Sequence, residues 1–355
     1  MTEPLVSVVM PVSNVERFLA EAIESILAQT FREFEFIIVD FGSTDGSKSI
    51  MARYAAADIR VKLHEIPLCV LPIARNFGCS QARGRYIAVM DADDVSLPNR
   101  LRVQLDFMER SPEVALLGGA VEFINAVGKS LQVHRHPTEP FELRSEMRSH
   151  CTFWHPTVLM RSDAFRSVGG YRPAFKYAHD YDLELRLAEK FECANLFEVI
   201  VKYRFHPQQI SLSRLNLQTL CVLAAQASAS VRRNGRSDPL SDVAEITPAV
   251  LAQLGVSEAV QQSNLITYCR AWIHNMCHAG EIPEAINVLS AILQSFDWKF
   301  VDSRQIADLW LTAARLHWSQ NHFLSSLGDV GHAVWVRPVV AGRPFRSFFQ
   351  WMRLA

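Results

Sequence analysis

The segment RYIAVMDADDVSLPNR, Arg85–Arg100, decides the fold because an apolar run ends abruptly in three carboxylates. Tyr86–Met90 is short, aromatic and β-branched, which predicts a buried strand. Asp91, Asp93 and Asp94 follow at its carboxyl end, where open α/β sheets bind their ligands. The sequence therefore predicts that this strand holds three acids at the ligand-binding edge of a sheet.

Three carboxylates this close together repel one another, so they need a compensating cation if all of them stay ionised. Oxygen ligands favour Mg²⁺ or Mn²⁺ over zinc, and such ions commonly share their remaining positions with substrate phosphates. A simpler interpretation is that Asp93 or Asp94 only caps a helix beginning near Pro98. This segment alone leaves both interpretations open.

Composition limits the class of protein. With 355 residues and 49% hydrophobic content, the chain is long enough for two domains with full cores. Its 36 basic and 37 acidic residues nearly cancel, so no overall field favours nucleic acid as a partner. The 7 cysteines, an odd number without a Cys-x-x-Cys pair, indicate reduced thiols and a cytoplasmic location. No uninterrupted apolar run is long enough to predict a transmembrane helix.

Strand and helix patterns alternate through the N-terminal part of the chain. Asn14 is predicted to cap the first helix. This alternation implies a parallel sheet with right-handed crossovers, which brings Asp40 to the same edge as the three acids. The predicted strands are Leu5–Val12, Phe34–Asp40, Val61–Ile66 and Tyr86–Met90.

Five motifs, in order, resemble those of the family 2 glycosyltransferases. They are VSVVMPVSN (6–14), SILAQTFREFEFIIVDFGSTDGS (25–47), ARNFGCSQARGRYIAVMDADD (74–94), HPTVLMRSDAFRSVGGYRP (155–173) and AHDYDLELRLA (178–188). The resemblance implies an α/β catalytic domain at residues 1–213. Its expected fold is the nucleotide-diphospho-sugar transferase, or GT-A, fold, with a Rossmann-like mixed sheet.

The resemblance also implies roles for individual residues. Asp180 matches the family's general base, and Asp93 and Asp94 match acids that bind Mn²⁺ or Mg²⁺. His206 is implied as a further metal ligand, because some relatives complete the metal site with a histidine there. The implied nucleotide-sugar-binding residues are Pro11, Ser13, Asp40, Phe41, Arg75, Asp91, Ala92 and Gly170.

Each of these residues also has a simpler interpretation. Asp180 could be an ordinary helix cap, and His206 a solvated loop histidine. Arg75 could be a solvated helix arginine, and Gly170 part of a plain turn.

Three positions depart from the family pattern. Ser13 stands where an aromatic ring usually stacks on the base, and Phe41 stands where a second aspartate is usual. His179 replaces the usual glutamate beside Asp180. The first two changes affect base recognition, whereas the third affects any hydrogen bond that supports the base.

The C-terminal third is predicted to be a helical domain at residues 214–334, with hairpins that vaguely resemble tetratricopeptide pairs. The segment 271–293 predicts a helical hairpin that turns at Gly280. Residues 335–355 contain four arginines, several aromatic rings and no acid. Such a tail suits peripheral contact with anionic lipid on the inner face of the cell membrane, or docking on the helical domain.

We therefore expect a metal-dependent, inverting glycosyltransferase that transfers a sugar from a nucleotide diphosphate donor to a hydroxyl of a glycan or lipid-linked acceptor. The expected setting is cell-surface polysaccharide or glycoconjugate synthesis. One alternative is a catalytically silent family member that binds a glycan or a partner, which Ser13 and Phe41 favour. A sugar nucleotidyltransferase is a poorer match, because no Gly-rich basic loop follows the first strand.

Overall fold

A mixed sheet of nine strands organises the first of two compact units in the computed structural model, which describes residues 3–206, 212–295 and 301–342. The first unit comprises Met1–Arg204 and Cys221–Thr247, and the second comprises Phe205–Leu220 and Pro248–Ala355. The strands are β1 (Val6–Val12), β2 (Phe34–Asp40), β3 (Val61–Glu65), β4 (Tyr86–Val89), β5 (Val95–Ser96), β6 (Val114–Ile124), β7 (Ser130–His134), β8 (Leu159–Arg161) and β9 (Glu192–Arg204). Their order in the sheet is β3-β2-β1-β4-β8-β6-β9-β5, and β7 pairs with β6.

The predicted parallel sheet is confirmed for the first four strands. Strand β1 pairs in parallel with both β2 and β4. Val12 lies opposite Asp40, and Val9 lies opposite Val89. Asp40 is the last residue of β2 and Asp91 follows β4, so both acids lie at the same edge of the sheet. Strand β8 pairs antiparallel with β4, which makes the sheet mixed as expected for the α/β fold.

Helices cover both faces of this sheet, which explains why its central strands are almost continuously apolar. Alternate strand residues belong to two buried clusters: Val8 and Met10 pack in one, and Val9 packs in the other with Ala74 of the helix Leu71–Gln81. The helices of this unit begin with α1 (Glu16–Leu27), α2 (Ser47–Ala57), α3 (Leu71–Gln81), α4 (Arg100–Arg110), α5 (Pro140–Glu146), α6 (Ser162–Ser167) and α7 (His179–Ala188). A short 3₁₀ turn spans His155–Thr157.

The prediction that Asn14 caps α1 is wrong. Val15 occupies the cap position without a side-chain hydrogen bond, and Asn14 has φ 52°. The Asn14 side chain instead accepts a hydrogen bond from the Thr44 N–H at 2.8 Å. Asparagine tolerates this left-handed backbone conformation better than most residues, so Asn14 ties the loop after β2 to the end of β1.

The second unit is helical. Its predicted hairpin is confirmed. The helix Glu258–Ala279 ends before Gly280, which has φ 84°, and its Trp272 is buried in the same cluster as Leu289 of the helix Ile282–Ser295. Residues 221–247 were predicted to belong to the helical domain, but in the structure they group with the sheet. The domain boundaries at residues 213 and 334 stay predictions. The remaining helices are α8 (Leu212–Arg233), which contributes to both units, α9 (Pro248–Gln253), α10 (Glu258–Ala279), α11 (Ile282–Ser295), α12 (Ser303–Ser319) and α13 (Phe323–Val336).

The C-terminal tail is only partly within the described residues. Trp335, near the end of α13, is 83% exposed, and a 3₁₀ turn follows at Pro338–Gly342. The prediction for the rest of the tail, 343–355, lies outside the described residues. Among the helices that the structure describes, none is long and apolar enough to cross a bilayer.

Candidate active site

Two acids, Asp40 and Asp91, lie at or just beyond the carboxyl ends of β2 and β4, the two parallel strands that flank β1. Asp40, the last residue of β2, is 1% exposed and accepts a hydrogen bond from the Ser43 N–H at 3.0 Å. The Lys48 Nζ lies 3.6 Å from the Asp40 carboxylate. Asp40 therefore stabilises the loop after β2 through Ser43 and has Lys48 as a basic neighbour.

Asp91 follows β4 and forms an ion pair with Arg75 of α3. The Arg75 Nη2 donates to the Asp91 Oδ1 at 2.6 Å. Arg75 is buried, and its Nε and Nη1 have no hydrogen-bond partner. Burial is the largest single effect and lowers the pKa of Arg75, but Asp91, Tyr171 and Asp180 together raise that pKa above its usual value. Arg75 is thus no solvated helix arginine: it is a buried cation with two unused donors.

Asp93 and Asp94 occupy different environments. Asp93 is half-buried, whereas Asp94 is buried and its Oδ1 accepts the Arg204 N–H at 2.8 Å. The other oxygen of Asp94, Oδ2, is buried without a hydrogen-bond partner. Burial and then the charges of Asp93 and Asp91 raise the pKa of Asp94 well above its usual value. Neither acid caps a helix, because α4 begins after Asn99 without a side-chain cap.

Two buried arginines that sequence reasoning missed hold this acidic loop. The Arg204 Nε donates to the Asp93 carbonyl at 2.8 Å, and the Arg100 Nη2 donates to the Val89 carbonyl at 2.8 Å. Burial lowers the pKa of Arg100 to about 9, although the charges of Asp91 and Asp94 oppose that shift. The only available signal was the sequence position of Arg100 shortly after the acids, and nothing local marks Arg204.

Asp180 lies in the first turn of α7, next to a strained backbone. Ala178 has φ 50° and ψ 27°, a left-handed conformation that a side chain disfavours. Asp180 is half-buried and accepts the Tyr181 N–H at 2.9 Å. Burial raises the pKa of Asp180, with the Tyr181 N–H and Arg75 acting in the opposite direction and Asp91 adding to the rise. The fold therefore brings Asp180 within electrostatic reach of Arg75 and Asp91.

His179 does not supply the hydrogen bond that a glutamate could give here. Both of its ring nitrogens are buried without a hydrogen-bond partner, and burial lowers its pKa well below the usual value. Its ring instead meets those of Tyr171 and His155, with centroids 5.4 and 5.9 Å away. The Tyr171 Oη and His155 Nε2 are 3.1 Å apart. His179 is thus part of a neutral ring cluster behind Asp180.

Gly170 lies in a tight turn, and both a positive φ of 68° and close packing demand glycine there. A Cβ would approach the Asn76 Oδ1 to 2.8 Å. Asn76, next to Arg75, also accepts the Tyr171 N–H at 2.9 Å and donates to the Tyr171 carbonyl at 2.7 Å. The turn therefore fixes Tyr171 against the helix that carries Arg75.

The other predicted residues lie around the same strand ends or in adjoining segments. Phe41 is half-buried and packs against the cluster that contains Ala74. Ser13 is also half-buried, whereas Pro11 and Ala92 are buried. His206 is buried two positions beyond β9 and groups with the second unit. The roles predicted for all of these residues stay predictions.

Comparison with known proteins identifies the class. Residues 7–169 match the family model described as Glycosyl transferase family 2. The chain is 37% identical over 207 residues to the putative glycosyltransferase EpsE of Bacillus subtilis, covering 57% of this chain and 73% of that protein. It is 31% identical over 217 residues to the O-antigen biosynthesis glycosyltransferase WbnJ of Escherichia coli, covering 59% and 84%.

Solved structures share the fold at low sequence identity. Staphylococcus aureus TarS 1–349 in complex with UDP-GlcNAc has a TM-score of 0.54 and 17% identity, over 96% of this chain and 93% of that one. Mannosyltransferase PcManGT from Pyrobaculum calidifontis, in complex with GDP-Man and Mn²⁺, has a TM-score of 0.52 and 15% identity, over 93% and 88%. The chain belongs to the family 2 glycosyltransferases and has their GT-A fold.

Proposed function

We propose that the chain transfers a sugar from a nucleoside diphosphate sugar to an acceptor hydroxyl, with Asp180 as the general base. One observation carries this proposal: three separate segments bring together a buried Arg75, its partner Asp91 and the carboxylate of Asp180. A cation with unused donors beside a half-buried carboxylate suits a reaction in which a diphosphate leaves while a hydroxyl loses its proton.

Arg75 is the proposed diphosphate-binding residue. Its Nε and Nη1 lack partners, and a buried guanidinium gains most by donating to anionic oxygens in a fixed geometry. Fold relatives bound to UDP-GlcNAc and to GDP-Man support a nucleotide-sugar donor. Asp40, Ser13 and Phe41, at the ends of β1 and β2, are the proposed contacts of the nucleoside.

The acidic loop suits a divalent cation. The partnerless Asp94 Oδ2 and the mutual repulsion of Asp91, Asp93 and Asp94 would both be relieved by one. Within the described residues, no three His, Cys, Asp or Glu side chains form a ready metal cage. We propose that Asp93 would hold Mn²⁺ or Mg²⁺, with Asp94 and His206 as further proposed ligands, and that phosphate oxygens of the donor would supply others. Bound there, the ion would neutralise charge on the leaving diphosphate.

Asp180 would take the acceptor proton as the acceptor oxygen bonds to the anomeric carbon. The bond between that carbon and the diphosphate breaks in the same displacement, so the configuration inverts. A raised pKa brings the carboxylate closer to neutral pH, where a general base is most effective.

A glycan or lipid-linked acceptor in surface polysaccharide synthesis is the proposed setting, supported by the naming of WbnJ for O-antigen biosynthesis. We place the reaction in the cytoplasm, where donors of this kind are made. The exposed Trp335 and the arginine-rich composition of residues 335–355 support peripheral contact with anionic lipid.

The direct test is a panel of nucleotide sugars assayed for slow hydrolysis, which needs no acceptor. At least one donor should release its nucleoside diphosphate with Mn²⁺ and not with a chelator. Arg75→Met should abolish that release, whereas Arg85→Met, at an exposed arginine paired with Glu109, should not. If no donor is hydrolysed by the wild-type chain, the catalytically silent alternative is favoured.

A further inference from the structure

Five rings form a continuous cluster on the sheet unit, which we call the Trp154 cluster. Its members come from five segments: Phe123 from β6, His134 from β7, His136 from the loop after β7, Trp154 from the loop after α5, and Tyr203 from β9. Trp154 is central, with ring centroids 5.1 Å from Phe123, 5.1 Å from His134, 5.3 Å from His136 and 5.3 Å from Tyr203.

One ring of the Trp154 cluster is buried, and the other four are partly accessible to solvent. Phe123 is 2% exposed, whereas Trp154, Tyr203, His134 and His136 are all partly exposed. Partly exposed aromatic faces with polar edges are accessible to a small molecule and can bind both its apolar and its polar groups.

Its position links it to the chemistry of the proposed site. Tyr203 directly precedes Arg204, whose N–H donates to Asp94. Burial and then the charges of Asp94, Asp93, Asp91 and Asp180 raise the pKa of Tyr203, so these acids lie within electrostatic reach of its hydroxyl. Trp154 directly precedes His155, whose ring meets that of His179, the neighbour of Asp180. The cluster thus lies beside the region where an acceptor hydroxyl must approach the base.

The polar edges of the cluster are neutral. The Trp154 Nε1 donates to the His134 Nδ1 at 3.3 Å, which leaves the His134 proton on Nε2. Burial lowers the pKa of His134, and burial with the charges of His134 and His150 lowers the pKa of His136 to about 3. Both imidazoles are therefore uncharged at neutral pH and offer donors and acceptors suited to hydroxyl groups rather than to anions.

We propose that the Trp154 cluster is the acceptor subsite and binds a neutral pyranose ring, with its apolar face on Trp154 and its hydroxyls on His134 and His136. This inference deepens the proposed function and rests on it. The pyranose would present one hydroxyl toward Asp180, so the cluster would select for acceptors that end in a neutral sugar.

The test has two independent readouts with a panel of methyl pyranosides as probes. The first is stimulation of nucleoside diphosphate release above the rate of donor hydrolysis. The second is saturation-transfer NMR from the protein to the glycoside, with UDP and Mg²⁺ present, which needs no turnover. Trp154→Ala should raise the acceptor KM about tenfold or more and remove the NMR signal. Trp154→Phe should retain part of both, and His136→Ala should weaken binding while disturbing the packing less.

A matched control is Trp310→Ala in the helical unit, because Trp310 is also half-buried and stacks on His332 at 4.4 Å. That variant should behave as wild type in both readouts. Equal stimulation and NMR signal in wild type and Trp154→Ala would overturn the inference, as would a wild-type protein that binds none of the glycosides. Stimulation of nucleoside diphosphate release by glycerol 3-phosphate and by none of the glycosides would also overturn the inference, because that acceptor is anionic and has no pyranose ring. If the wild-type protein hydrolysed no donor, the result would count against the proposed function instead. The NMR readout would still show whether the Trp154 cluster binds a glycoside.

Discussion

Replacing Arg204 with methionine should destabilise the protein and disable the acidic loop together. The Arg204 side chain is 2% exposed, and its hydrogen bonds to described residues include Nε to the Asp93 carbonyl at 2.8 Å, Nη2 to the Glu21 Oε2 at 2.6 Å and Nη1 to the Asn125 carbonyl at 3.4 Å. Its guanidinium also covers the Phe18 ring at 4.8 Å.

The expected loss of unfolding free energy in Arg204→Met depends on how deeply each contact of the side chain is buried. The bond from the charged Nε to the Asp93 carbonyl contributes roughly 1.5–3 kcal/mol. The pair with Glu21, which is 57% exposed, contributes less than about 1 kcal/mol. The cation–π contact adds about 0.5–1 kcal/mol, and the long bond to Asn125 adds little. Methionine retains much of the apolar packing, so we expect a loss of about 3 kcal/mol, or about 6–12 °C in Tm.

The assay is thermal unfolding of Arg204→Met beside Arg85→Met as the matched control. Arg85 also pairs with a glutamate and covers a tyrosine ring at 5.4 Å, but its side chain is 57% exposed. The control should lose less than about 1 kcal/mol. Below its Tm, Arg204→Met should also bind UDP and Mn²⁺ more weakly, because Asp93 is no longer held. Equal destabilisation by the two variants would refute the reasoning.

Four further predictions concern the proposed chemistry. Asp93→Ala should abolish cation-dependent binding of nucleoside diphosphate, and calorimetry that finds equal wild-type affinities with Mn²⁺ and with chelator would contradict the metal assignment. Asp180→Asn should retain donor binding but lower turnover by on the order of 10²–10⁴, so transfer at the wild-type rate would exclude it as the base. UDP, dTDP and GDP should bind within about tenfold of one another, because Ser13 and Phe41 remove two sources of base preference; a hundredfold preference for UDP would show that another residue reads the base. Deleting residues 335–355 should reduce sedimentation with anionic liposomes without changing donor hydrolysis, and unchanged sedimentation would assign the tail a structural role.

Local patterns were sufficient for the first four strands of the sheet and for the position of their acids, but not for the five strands that follow. Each central strand is a short apolar run, and the chain direction of parallel strands determines which of their ends meet. Asp40 and Asp91 could therefore be placed at one edge from the sequence, and the order of motifs was enough to recognise the family. Arg75 was predicted from the sequence only as a nucleotide-sugar-binding residue, and its ion pair with Asp91 was not predicted.

Long-range packing decided what surrounds those acids. Asp94 accepts its hydrogen bond from Arg204, which is 110 positions away, and no local pattern marks an arginine for burial at the end of a long strand. Asn14 illustrates the same limit at short range, because a loop about 30 residues later competes successfully for the side chain that was expected to cap a helix.

The sequence by itself therefore determined the class of fold, the edge that carries the acids and the candidate base. Only the tertiary structure decided which charges are buried and which rings meet, including Arg100 beneath the acids and the Trp154 cluster beside them. The physical reason is that strand and helix periodicity is encoded in neighbouring residues, whereas burial and pairing depend on chain segments that meet only after the sheet has formed.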